Sequence, residues 1–108
     1  MKIEVRNRPE HARFELVVDG EVAGKAEYRT APGLRAFVHT EVDERLQGQG
    51  LAGRLVAEAL SQTRTEGVAV EPFCRYVRRY IEKNDEFLDL VPDDKRSWFN
   101  LPTTTAAS

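Results

Sequence analysis

Three glycines stand where the backbone alone can do chemistry: Gly48, Gly50 and Gly53, in the run Gln47-Gly48-Gln49-Gly50-Leu51-Ala52-Gly53. An amphipathic stretch begins at Leu51, so the glycines fall at the start of a helix. The first N–H groups of a helix have no partners inside it, and the macrodipole adds partial positive charge there. Lacking a Cβ, each glycine lets a ligand approach those donors closely. The chemistry offered is capture of an anion, most often a phosphate. A phosphate-bearing ligand is the first expectation.

The flanking elements must hold that corner. Ile3 and Val5 alternate with polar residues in a short strand closed by Pro9. Phe14, Leu16 and Val18 alternate in a second, and Asp19-Gly20 is a strong hairpin signal. Val22 to Tyr28 returns, with Gly24 marking a bulge or a close backbone approach. Thr30-Ala31-Pro32-Gly33 turns the chain into Leu34 to Val42, where Ala36, Val38 and Val42 face opposite to Phe37, His39 and Glu41. The period then changes. Leu51, Leu55 and Ala59 stack beside Ala52, Val56 and Leu60, as an amphipathic helix requires, and Gly67 suits a left-handed cap. Val68-Ala69-Val70 reads as a buried strand, and a helical crossover makes it parallel to Leu34–Val42. A second helix spans roughly Phe73 to Lys83, apolar on Phe73, Val77, Tyr80 and Ile81 and basic on Arg75, Arg78, Arg79 and Lys83. Phe87, Leu88, Leu90 and Val91 dock as a last helical turn. The fold class is α/β: an antiparallel meander, then a helix crossover to a parallel strand. Residues 1–91 form the domain and 92–108 a mobile tail, although Trp98 and Phe99 have the character to pack back.

Composition bounds the function. A chain of 108 residues is one domain, and 41% hydrophobic with 31% charged residues is ordinary for a globular protein. The net charge of -2 leaves no broad electrostatic footprint for nucleic acid or an anionic membrane. No apolar run is long enough to span a bilayer, and the first residues lack a secretory h-region, so a cytoplasmic location is expected. A single cysteine, Cys74, excludes a disulfide framework and a multi-cysteine zinc site, and no metal is expected. The expected state is a monomer or weak dimer.

Gly48-x-Gly50-x-x-Gly53 formally matches the dinucleotide fingerprint, and Glu71 lies at a suitable distance to hold a ribose. Context argues against it, because Asp43 to Gln47 separate strand and glycine within a meander. A Walker loop fails for want of Gly-Lys-Ser/Thr. The run from Val42 to Ala52 instead resembles motif A of the GNAT superfamily of acyl-CoA N-acyltransferases: a strand, an acidic turn, then Arg/Gln-x-x-Gly-x-Gly/Ala opening a helix. Gln47, Gly50 and Ala52 fill the defining positions. His39-Thr40-Glu41-Val42, Glu71-Pro72-Phe73-Cys74 and Tyr80 to Asn84 resemble a short single-domain GNAT-like branch, lacking the early helices and final strands of the full fold. The resemblance implies that Val42, Gln47, Gly48, Gln49, Gly50, Leu51, Ala52 and Gly53 hold acetyl-CoA between the strands ending at Val42 and Glu71. It also implies acetyl transfer to an amine of a small molecule or protein.

In that family mechanism the amine attacks the thioester carbonyl, with a base for the amine and an acid for the leaving thiolate. Tyr80 matches the position of the family's acid, but Phe73 stands near its usual asparagine. The short branch presents Cys74 and His39; if both point into one cleft, His39 would take a proton from the thiol or the amine. A cysteine near a helix N-terminus gains thiolate character and would accept the acetyl transiently. The bland readings stand beside these: a small buried hydrophobe for Cys74, a hydrogen-bonded side chain for His39. Glu41, on the face of His39, is a further base candidate. Three other functions remain open: an acetyl-CoA-binding adaptor or sensor without turnover, an acyl carrier through Cys74, and a small dinucleotide-binding domain.

Overall fold

The computed structural model describes residues 1–103. One sheet holds five strands in chain order: β1 (Ile3–Arg8), β2 (Arg13–Val18), β3 (Glu21–Ala31), β4 (Leu34–Val42) and β5 (Ala69–Pro72). The first four pair antiparallel and β5 lies parallel to β4, as the meander and crossover require. Asp19 and Gly20 both take positive φ, 49° and 87°, the combination a two-residue hairpin turn needs. Helix α1 (Leu51–Glu66) makes the crossover and α2 (Arg75–Lys83) follows β5. A 3-10 stretch (Asp85–Leu90) and the one-turn α3 (Asp93–Arg96) come last. The α/β layout is the one the residue pattern predicts.

Burial explains why α1 lies where it does. Its Leu51, Leu55, Val56, Ala59 and Leu60 form one apolar cluster with Phe14, Leu16, Tyr28 and Phe37 of the sheet. At its far end Arg35 of β4 is buried, only 6% exposed. Its guanidinium lies over the Tyr28 ring at 4.4 Å and donates to Thr63 Oγ1 at 2.9 Å and Glu66 at 2.9 and 3.0 Å. A buried cation demands such pairing. This one pins the last turn of α1 to β4.

One irregularity in β4 decides which side chains meet. Glu27 pairs with His39 but Tyr28 with Phe37, so Val38 is an extra residue bulged out of the ladder. A bulge shifts the in–out alternation by one. Thr40 therefore lies beside Ala26, which pairs with Phe14, on the core face, while His39 and Glu41 lie beside Glu27 and Lys25 on the other. The expectation that Ala36, Val38 and Val42 share a face opposite Phe37, His39 and Glu41 fails past Val38 for this reason. Gly24 is the close approach its type suggested: a Cβ there would meet the Glu41 carbonyl oxygen at 2.9 Å.

The C-terminal segment corrects the expected domain boundary. Val91, Phe99 and Leu101 are buried in the main cluster. Arg96 Nε donates to the Val91 carbonyl at 2.9 Å and Leu101 N–H to that of Arg96 at 2.8 Å. Residues 92–101 are thus part of the body, because two spaced apolar residues suffice to dock a short segment. Residues 104–108 of the expected tail lie outside the described residues. Helix α2 starts two residues later than expected, with Cys74 at its N-cap, which leaves Phe73 half exposed rather than on the helix's apolar face.

Candidate functional site

The glycine corner is open by construction. Gly48 and Gly50 take φ of 84° and 74°, yet a Cβ at either would meet nothing within 4 Å. Conformation selects glycine here, not crowding. Gly50 is the N-cap of α1, and no side chain caps that end. The first bond back into the helix is Arg54 N–H to the Gly50 carbonyl, at 3.1 Å. The N–H groups of Leu51, Ala52 and Gly53 therefore have no acceptor within the helix. Asp43, on the turn before the glycines, is occupied: Arg45 holds its carboxylate at 2.8 Å and keeps it below the usual carboxylate range.

A cavity of about 460 Å³ opens onto this helix end. All the residues expected to hold a cofactor line it except Gln49; Thr40, Glu41, Leu46 and Tyr76 complete the wall. The sheet supplies its other side. Pairing of β4 with β5 runs only from Leu34 to Phe37. Pro72 has no N–H to continue a ladder, Phe73 N–H turns back to the Glu71 carbonyl at 3.1 Å, and Cys74 N–H makes the last cross-link, to the Phe37 carbonyl at 2.7 Å. From Val38 to Val42 the edge of β4 has no strand beside it.

The reactive side chains fall into two separate groups. His39 Nε2 stands 3.1 Å from Glu41 Oε2, and Lys25 Nζ lies 3.6 Å from Glu41 Oε1. The hydrogen bond with His39, then the charge of Lys25, hold the Glu41 carboxyl below its ordinary value. The Cys74 thiol is on the other side, donating to Thr40 Oγ1 at 3.4 Å. Thr40 and His39 are neighbours on one strand and point to opposite faces. His39 and Cys74 therefore do not share a cleft, and the bulge at Val38 is what separates Phe37 and His39 into opposite faces.

Tyr80 is raised above the ordinary phenol value by burial, then by Glu86 and Tyr76. Its ring lines a neighbouring cavity of about 220 Å³ with Arg79 and Lys83, and its Cε1 lies 3.6 Å from where a Cβ on Gly53 would be. Tyr76, one turn earlier, lines both cavities, and its hydroxyl lies 3.7 Å from where a Cβ on Gly53 would be. Sequence reasoning passed over Tyr76. The i, i+4 spacing of the two tyrosines was the available signal, but spacing does not say that both rings lie against Gly53 while only Tyr76 lines the larger cavity. The dinucleotide alternative fails on topology, since that fold needs parallel strands around the glycine turn and here one parallel pair ends a meander. Glu71, its ribose candidate, is paired with Lys95 at 3.4 Å. Among the described residues no helix is long and apolar enough to cross a membrane.

The same architecture occurs in known proteins. A family described as GCN5-related N-acetyl-transferase matches residues 13–90. A GCN5-like protein from Staphylococcus aureus, solved by NMR, superposes with a TM-score of 0.63 at 20% identity, covering 82% of this chain and 87% of that one. The ribosomal-protein-S18-alanine N-acetyltransferase from Escherichia coli superposes with a TM-score of 0.52 at 23% identity, over 59% of this chain and 42% of that one. At such identities these two likenesses speak to the fold alone. No curated protein sequence matches the chain.

Proposed function

This chain belongs to the GCN5-related N-acetyltransferase family, and from that premise we propose that it binds acetyl-CoA at the glycine corner and passes the acetyl group to an amine. One observation carries the proposal: the main cavity joins the uncapped start of α1 to the half of β4 that β5 leaves unpaired. The residues fit the group. A pyrophosphate needs convergent N–H donors and no side chain in front of them, which Leu51 to Gly53 and the two left-handed glycines supply. An unpaired strand edge suits the amides of a pantetheine arm as it suits an added strand.

Acetyl-CoA supplies the acetyl as a thioester, so that an amine nitrogen displaces the thiol and an amide forms. The chain's own residues handle the protons. Glu41, which lines the cavity, takes the proton of the attacking amine, and His39, 3.1 Å from its carboxylate, relays it. Tyr76 gives the proton to the leaving thiolate from the cavity wall, with Tyr80 a turn behind it. Among the described residues the Cys74 thiol bonds Thr40 and no base, which argues against a covalent acetyl-cysteine and for direct transfer.

Calorimetric titration with acetyl-CoA, with NAD as control, tests the reading. Saturable binding to acetyl-CoA alone is expected, and binding to neither removes its main support. Binding without release of CoA in the presence of any amine favours the adaptor. In an amine-acceptor assay, Cys74→Ala should keep turnover within a few-fold; a stable acetyl mass on Cys74 together with a collapse of turnover in the variant favours the acyl carrier instead.

A further inference from the structure

The C-terminal segment builds a further cavity that the proposed cofactor site leaves unused. It measures about 360 Å³ and is lined by Glu71, Phe73, Asp94, Lys95, Trp98 and Phe99. Its wall is a trio of rings in edge-to-face contact: Phe73 to Trp98 at 5.4 Å, Phe73 to Phe99 at 5.2 Å and Trp98 to Phe99 at 4.7 Å. Phe99 is buried, while Phe73 is 50% and Trp98 67% exposed. Two large rings locked in place and left in water suit a ligand better than a core.

The rim carries the complementary charge. Lys95 Nζ is spent on Glu71 Oε2 at 3.4 Å, and Asp94 has no ion pair among the described residues. With two carboxylates against one ammonium, the balance beside the rings is negative. Aromatic faces and carboxylates together select an organic cation. The location matters as much. Phe73 is the residue before Cys74, whose thiol touches Thr40, and Thr40 lines the cavity at the glycine corner. One backbone step, Phe73 to Cys74, and one side-chain contact, Cys74 to Thr40, thus link the linings of the two cavities.

We propose that the aromatic cavity anchors the acceptor through an alkylammonium group separate from the nitrogen that is acetylated. This rests on the acetyltransferase reading, and it names the acceptor class that the reading leaves open.

Trp98 is the chain's single tryptophan, so its fluorescence reports on the cavity directly. The probes are n-butylammonium chloride and its neutral counterpart n-butanol, titrated against the whole chain. Expected is a saturable change with the ammonium alone, and at least a fivefold weaker half-saturation in Asp94→Asn. An equal response to both probes, no response, or an unweakened Asp94→Asn overturns the proposal. Acetyl-CoA calorimetry on the same sample separates the two claims: binding of acetyl-CoA without the ammonium response sinks only the acceptor site. The converse leaves a cation site standing but removes its role as an acceptor site, and the cofactor reading falls. In turnover, Asp94→Asn should raise KM for the amine at least fivefold with kcat within about twofold and an unchanged melting temperature; a lower melting temperature with unchanged KM marks the residue as structural and overturns the proposal.

Discussion

The two ends of α1 stop on glycines of nearly the same conformation, Gly50 at φ 74° and Gly67 at φ 75°, yet they are used in opposite ways. At the C-terminal end every feature closes the helix. Gly67 N–H bonds the Arg64 carbonyl at 2.9 Å. Arg35 clamps Thr63 and Glu66 from below, and Arg64 reaches Asp89 at 2.7 Å. At the N-terminal end no side chain caps the backbone, and a cavity stands in front of it. Helix ends are normally satisfied, by caps or by water. The difference teaches that one end of α1 is closed by the protein's own groups and the other is left open to a cavity. It also says that damage at the two ends should register in different measurements.

The severest test of that division is Arg35→Ala. It removes a buried cation from two rings, a hydroxyl and a carboxylate, and should lower stability by about 3 kcal/mol in urea unfolding. Acetyl-CoA affinity should stay within about twofold, since the change lies at the closed end; a tenfold loss of affinity in the folded variant would show that the two ends are coupled. The mirror experiment is Gly50→Asp. A negative side chain before the free N–H groups should weaken acetyl-CoA at least a hundredfold by calorimetry, equivalent to about 2.7 kcal/mol. The left-handed backbone should cost the fold only about 1 kcal/mol. If affinity survives, the open end is not a phosphate site.

Gly67→Ala sharpens the comparison, because it makes a similar backbone insult at the closed end. A loss of about 1 kcal/mol in stability with unchanged affinity is expected. The smallest effect is electrostatic. Arg64 holds the Asp89 carboxyl below its ordinary value, through a hydrogen bond first and its charge second, against burial. A carboxyl whose folded pKa is depressed stabilises the fold above its unfolded pKa and loses that contribution as pH falls through the folded value. Asp89→Asn should therefore cost less than about 1 kcal/mol at neutral pH, for an exposed and salt-screened pair. The variant and parent should converge in urea midpoints below the ordinary aspartate range, at low salt as at high.

Much of this was legible in the residues themselves. The hairpin at Asp19-Gly20, the left-handed cap at Gly67, the parallel placement of β5 and the glycine corner before Leu51 all follow from local rules: positive φ where only glycine or a short polar residue is comfortable, and alternation changing to helical spacing at Leu51. These depend on a few neighbouring residues, so a linear pattern carries them. Tertiary structure alone decided the rest. Nothing in Phe37-Val38-His39 announces that Val38 bulges, yet that one displaced residue puts Thr40 against Cys74 and turns His39 toward Glu41 and Lys25. Nor does the spacing of Tyr76 and Tyr80 say which of them lines the cavity at the glycine corner, or the run from Asp93 to Leu101 that it folds back to set Trp98 beside Phe73. Those outcomes are long-range: they depend on which strand pairs with which and in what register, and on apolar area that only the assembled sheet and helices can bury.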